Sequence, residues 1–414
     1  MAGGTMSRRS LLRGALGLGA ASLVGCTNRC ERSGPSATRP LTPSPTPSPS
    51  PSPVDCATPK AGDGSRLPLW STAMEAGLVY GSSTATWQIS DPEYRRLFAR
   101  EAAILFTEDD LLWYRLRPTP DSELDFRFGD RIIDFAEDNG MLTLGAHLVW
   151  DEGFGDGWTD GDLWGLDEQQ ARDLLFGTVR AVVERYRGRV AAWIVANEVF
   201  DAFGMRAEVP WYGTIGPTYV AEAFHLAHEA DPDAWLLLND FGFETDDDFS
   251  PAADRRAVAL EVLDGLLGDD VPVHALGVQA HLTSGGFAER FDAEAYRRFL
   301  AEVAERGLKI LITEMDVLDD GSPPDVRKRD REVADTYRRY LDVALDEPAV
   351  ISLVTFGLSD RYTWLEEDYP REDGAPRRPL PFDEELTPKP SFTALASSLE
   401  RLPLRAAAWV PPRC

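Results

Sequence analysis

Trp193-Ile-Val-Ala-Asn-Glu-Val-Phe200 is a short apolar run that ends on an amide and an acid, and Lys309-Ile-Leu-Ile-Thr-Glu-Met-Asp316 repeats the pattern. Such runs read as buried strands. An ionised group at the edge of a core is costly unless it is paired or used. Glu198 and Glu314, each closing one of these runs, are therefore expected to share a site.

Working outward, six more runs of the same kind lie at 78–82, 102–106, 141–146, 235–239, 274–279 and 351–356, in addition to 191–197 and 309–313. Amphipathic helical patterns separate them. Residues 129–140 carry Ile132, Ile133, Phe135 and Ala136 on one stripe and end on Gly140, a C-cap signal. Residues 293–307 carry Tyr296, Phe299, Leu300 and Val303 in the same way. Eight alternations of strand and helix predict an α/β fold, a (β/α)8 barrel forming one catalytic domain over 66–414. The rival, an open doubly wound sheet, lacks a glycine-rich dinucleotide fingerprint after the first strand. In a barrel the C-terminal strand ends form the mouth, and Glu198 would close the fourth strand and Glu314 the seventh.

The chain has 414 residues, 43% of them hydrophobic, and a formal charge of -27. That is ample for a buried core, and so acidic a surface repels nucleic acid and anionic lipid while leaving a neutral polymer unopposed. Residues 1–25 read as an export signal of the twin-arginine type: Arg8 and Arg9 precede an apolar stretch too short to span a bilayer. That stretch ends Leu23-Val24-Gly25-Cys26, which resembles a lipobox, so Cys26 is the expected lipidation site and the sole expected membrane attachment. Residues 26–65 form a tether, with Pro alternating with Ser or Thr from Thr42 to Pro53. A cell-surface or secreted location follows. Of the remaining cysteines, Cys56 and Cys414 flank the globular body and are a possible disulfide pair, with Cys30 left over.

Two acids at a barrel mouth suit glycoside hydrolysis: one protonates the departing glycosidic oxygen while the other attacks or activates water. Asn197, beside the presumed acid, is placed to hydrogen-bond a sugar hydroxyl, and Gln279 and His281 at the end of the sixth run are expected to hold Glu314 ionised. No cysteine or histidine spacing calls for a metal, no cofactor is implied, and neither a nucleophile elbow nor a phosphate loop appears.

These residues resemble glycoside hydrolase family 10, retaining endo-β-1,4-xylanases on a (β/α)8 barrel. Asn197-Glu198 resembles the family's acid/base motif and Ile312-Thr313-Glu314-Met315-Asp316 its nucleophile motif. Leu276-Gly-Val-Gln279-Ala-His281-Leu282, Leu238-Asn239-Asp240, Ser359-Asp360-Arg361-Tyr362-Thr363-Trp364-Leu365 and Thr387-Pro-Lys-Pro-Ser-Phe392 resemble further family stretches. The resemblance implies substrate contacts from Asn197, Gln279, His281, Trp364, Glu108, Asp109 and Phe356, with Asn239, Asp240 and Asp316 in support. It implies xylan or a related β-glycan as the polymeric partner of a monomer.

Four positions depart from the pattern. Asp109 stands where the family usually has Asn, Leu112 where it has Lys, Ala146 where it has His, and Phe356 where it has Trp. His147 is one place late, so a period-2 argument turns it away from the mouth unless a bulge restores it. These departures line the glycone side. Trp158 and Trp164 lie in the loop over residues 151–165 and are candidate sugar platforms, whereas Trp113, Trp193 and Trp235 read as core. The rival function is a glycan-binding or sensing surface lipoprotein with weak turnover, or a hydrolase of a different β-glycan.

Overall fold

A computed structural model describes residues 66–247 and 250–414. The signal, Cys26, the tether and Cys56 lie outside the described residues. Among the described residues no helix is long and apolar enough to cross a membrane.

Eight strands follow in order: β1 (Val79–Thr84), β2 (Ile104–Thr107), β3 (Leu142–Gly145), β4 (Ala192–Asn197), β5 (Trp235–Asp240), β6 (Ala275–Val278), β7 (Lys309–Leu318) and β8 (Val350–Thr355). Each pairs in parallel with the next, and β8 pairs with β1, so the sheet closes as the sequence predicts. After each strand comes a long helix: α1 (Pro92–Glu101), α2 (Arg127–Asp138), α3 (Glu168–Arg185), α4 (Tyr219–Ala230), α5 (Ala252–Gly268), α6 (Ala293–Glu305), α7 (Val326–Ala344) and α8 (Pro390–Glu400). Helix starts are written locally. The Asp91 carboxylate accepts from Glu93 N ahead of α1, which has Pro92 in its first turn, and Asp292 and Asp325 do the same for α6 and α7.

Alternate strand residues divide between two apolar layers. Tyr80, Leu105, Trp193, Leu236, Leu276 and Ile310 share a cluster with helix residues such as Phe98, Ile132, Val179 and Leu300, and so face outward. Val79, Ile104, Phe106, Leu144, Ile194, Leu237 and Leu311 form a second cluster, the barrel interior. Trp70 and Met74 of a short helix (Leu69–Glu75) join that second cluster from below, together with Ala407, Trp409 and Cys414.

The base is therefore sealed by both ends of the described chain. Arg66 forks onto the buried Glu101 at the end of α1, at 2.9 and 2.8 Å. From the other end, Arg405 donates to the carbonyls of Leu345, Glu347 and Val350, and Arg413 to those of Ala99, Ala102 and Asn139. Most of these carbonyls terminate α1, α2 and α7, where unpaired C=O groups and the helix dipole favour a cation. Gly77 and Gly140 make room for this strap. Both have positive φ, +80° and +62°, and a Cβ at either would lie 2.3 Å from Arg405 O or 2.9 Å from Arg413 N. Cys414 is disulfide-bonded.

Candidate active site

Near the end of β4 the register against β5 shifts between Ile194 and Ala196, and the chain then enters Asn197 and Glu198. Glu198 has φ +55°, uncommon for a residue with a side chain and most frequent where function dictates the backbone. Its carbonyl accepts from Arg206 Nη1 at 2.9 Å, and Arg206 is itself forked onto Asp151 at 3.1 and 2.8 Å. The main chains of neighbouring strand ends are tied in series: Glu198 N donates to Asn239 O, Gln279 N to Asp240 O, and Glu314 N to Gln279 O.

Glu198 and Glu314 are 7% and 1% exposed, yet each carboxylate oxygen has a partner. Glu198 Oε1 accepts from Gln279 Nε2 at 2.9 Å and Oε2 from Trp150 Nε1 at 3.3 Å. Glu314 Oε1 accepts from Asn239 Nδ2 at 2.8 Å, and Oε2 lies 3.4 Å from His281 Nε2. Asn197 Oδ1 accepts from both Asn239 Nδ2 (2.7 Å) and Gln279 Nε2 (3.3 Å), so one amide relay runs from one carboxylate to the other. Thr313 Oγ1 fixes the Asn239 amide by donating to its Oδ1 at 2.7 Å. The two acids named from strand ends thus belong to one site, as expected. Gln279 corrects the expectation: its side-chain amide donates to Glu198, and its carbonyl accepts from Glu314 N.

His281 does face Glu314. Its Nδ1 lies 2.9 Å from Asp316 Oδ1, and Trp364 Nε1 donates to the other Asp316 oxygen at 2.7 Å. Burial by itself lowers the His281 pKa, but the Asp316 and Glu314 carboxylates outweigh it and hold the ring at about 9, cationic at neutral pH. Phe356 and Trp364 pack edge-on against the same imidazole, at 5.5 and 5.3 Å. Asp240 lies behind the acid. Burial pushes its carboxyl up to about 7, opposed by Arg255 at 2.6 Å and reinforced by the charge of Glu198. Arg255, on α5, also donates to Phe241 O and stacks over the Phe241 ring at 4.3 Å.

On the side expected to take the glycone, the acids after β2 have partners within the chain. Glu108 accepts from Ser83 Oγ (2.8 Å) and Gln88 Nε2 (3.0 Å), Asp109 from Trp87 Nε1 (2.9 Å), and Asp110 from Thr86 N and Oγ1 (2.7 and 2.9 Å). All three acids hold the loop after β1. Burial, with Asp109 alongside, pushes Glu108 up to about 8. His147 reaches the site region without a bulge: the Ala146–His147 peptide is cis, and the ring packs between Phe106 (5.8 Å) and Trp150 (5.0 Å). Trp158 is loop packing, buried, with Nε1 on Arg117 O and its ring against Trp113 and Phe154. Trp164 is half exposed, Trp113 and Trp193 are core, and Trp235 is partly buried against Trp409. Sequence reading missed Trp150, Arg255 and Trp87. An aromatic or an arginine in a loop or helix gives no local sign of the partner that makes it part of a site.

Residues 69–398 match the protein-family model described as glycosyl hydrolase family 10. The chain is 32% identical over 317 residues to endo-1,4-beta-xylanase B of Thermotoga neapolitana, an alignment covering 76% of this chain and 86% of that one. It is also 32% identical to a beta-1,4-xylanase of Dictyoglomus thermophilum, over 72% of this chain and 82% of the relative. Among solved structures, xylanase 10B of Thermotoga petrophila RKU-1 in complex with xylobiose superposes with a TM-score of 0.72. It has 29% identity and covers 81% of this chain and 98% of its own.

Proposed function

Because the chain belongs to glycosyl hydrolase family 10, we propose that it is a retaining, endo-acting hydrolase of the β-1,4-linked xylan backbone, with Glu198 as acid/base and Glu314 as nucleophile. The observation that carries this reading is the unequal surroundings of two carboxylates on one amide relay. Glu314 meets the His281 imidazolium, which favours an anion ready to attack. Glu198 meets the neutral donors of Gln279 and Trp150 in place of a cation, which leaves it the better placed of the two to serve as acid and then base.

Glu314 attacks the anomeric carbon while Glu198 protonates the leaving glycosidic oxygen. A water deprotonated by Glu198 then releases the sugar from Glu314. Asn197, whose Oδ1 is held by two donors, has its Nδ2 left to donate to a hydroxyl beside the reacting carbon, a bond that strengthens as the oxocarbenium-like state forms. Reducing-end release measured across xylan, mixed-linkage glucan and cellulose tests the reading: product from xylan supports it. Affinity without product points instead to the binding or sensing lipoprotein, and product only from another polymer redirects the substrate. The export signal and the Cys26 anchor belong to the same proposal, and Cys26→Ser is expected to release the protein from the membrane fraction.

A further inference from the structure

Trp87 sits in the loop between β1 and α1, at the mouth, and is 46% exposed. Few large apolar side chains among the described residues are so open. It is nevertheless held on two sides. Its Nε1 donates to Asp109 at 2.9 Å, and its ring meets that of Tyr362, in the loop after β8, edge to face at 5.3 Å. Tyr362 is fixed in turn: its hydroxyl donates to Asp91 at 3.0 Å, Arg361 donates to the same oxygen at 2.7 Å, and Tyr94 packs against the ring at 4.9 Å. On either side of Trp87, Thr86 is bound by Asp110 and Gln88 by Glu108, while Gln88 Oε1 accepts from Thr84 Oγ1 and Ala85 N.

An indole whose nitrogen is satisfied, whose loop is pinned at successive residues and whose surface remains open is pre-organised to receive a flat apolar partner. At the rim of a glycan site that partner is the face of a pyranose ring. Asp109, which the sequence reading assigns to the glycone side, holds Trp87, and the loop after β1 places the indole at the strand-end mouth apart from the partners of Glu198 and Glu314. We infer that Trp87 is the platform of a further glycone-side subsite, taking a distal sugar of the β-1,4-linked chain whose reacting bond lies at the two glutamates. This rests on the proposed hydrolase reading. Asp109 then acts on substrate through Trp87.

Titration calorimetry with linear β-1,4-xylo-oligosaccharides, in a Glu314→Ala background that prevents turnover, tests the inference. The platform requires that affinity rise from trimer to hexamer, and that Trp87→Ala cut this rise about tenfold. Trp87→Phe, which keeps a ring but loses the bond to Asp109, is expected to keep most of it. An unchanged ratio overturns the subsite, as does an equal loss for trimer and hexamer, which would make the indole a support for Asp109 alone. The two proposals fail separately. If the native chain releases no sugar from xylan while Trp87→Ala still cuts the ratio, the hydrolase reading falls and the platform stands. If xylan is hydrolysed but the ratio does not move, the reverse holds.

Discussion

At the base of the barrel Arg405 and Arg413 direct their guanidinium groups largely at main-chain carbonyls that end helices, whereas at the mouth Arg206 and Arg255 direct theirs at Asp151 and Asp240 and at the carbonyls of Glu198 and Phe241. One end completes the hydrogen bonding of the scaffold. The other gathers Glu198, Asp240, Glu314 and Asp316 into a space with little water, and bends the backbone into positive φ at Glu198 and Ala280 to do so. Buried charge and backbone strain of this kind lower stability and persist where function needs them. Stability and catalysis are thus separable along the barrel axis.

The sharpest way to break that separation is to remove the proposed nucleophile. Glu314→Ala is expected to lower kcat on polymer by at least about 10^4-fold without lowering the midpoint of thermal unfolding; a large loss of stability would show that the mouth also holds the fold together. Glu198→Ala should cost about 10^2- to 10^4-fold on polymer but much less on aryl glycosides whose leaving group needs no proton, as steady-state rates on both substrates would reveal. At the opposite end, Arg413→Ala is expected to cost about 2 to 4 kcal/mol of stability, seen in chemical denaturation, with kcat unchanged. An altered kcat there would couple the two ends.

The smallest effect is a pH dependence that belongs to the mouth. His281 is held at about 9 against an ordinary value of 6.5, so its contribution is complete below pH 6.5 and is lost as pH rises through 9. Glu108 and Asp240, raised to about 8 and about 7, act in the same sense, because ionising them costs more in the folded chain than in the unfolded one. Stability should therefore fall as pH rises, from 6.5 to 9 for His281 and already from the ordinary carboxylate range upward for Asp240 and Glu108. His281→Gln should flatten the curve, whereas Arg413→Ala should only displace it.

Much of this was legible in the chain itself. Buried parallel strands are continuous apolar runs, and all eight appear within a few residues of their places, because burial on both faces leaves no polar alternation to confuse the pattern. Glu198, Glu314 and their amide neighbours were legible for the same reason: polar residues at the ends of such runs stand out. What strand periodicity could not convey was direction. Gln279 was assigned to the wrong glutamate, since the chain order says nothing about which strand end its side chain leans toward. His147 was turned outward by a period-2 count unless a bulge intervened, yet its ring lies against Phe106 and against Trp150, which donates to Glu198. Glu108 and Asp109 also hold Gln88 and Trp87 in the loop after β1, and nothing in Ala85-Thr86-Trp87-Gln88 announces that attachment.

Arg66 and Cys414 both lie at the sealed base, on the far side of the barrel from Glu198 and Glu314. A carrier joined before residue 66 or after residue 414, whether a resin, a second module or a particle, would sit behind the barrel and leave the cleft facing outward. The fold is thus suited to immobilisation through either end, with access for an insoluble polymer kept clear.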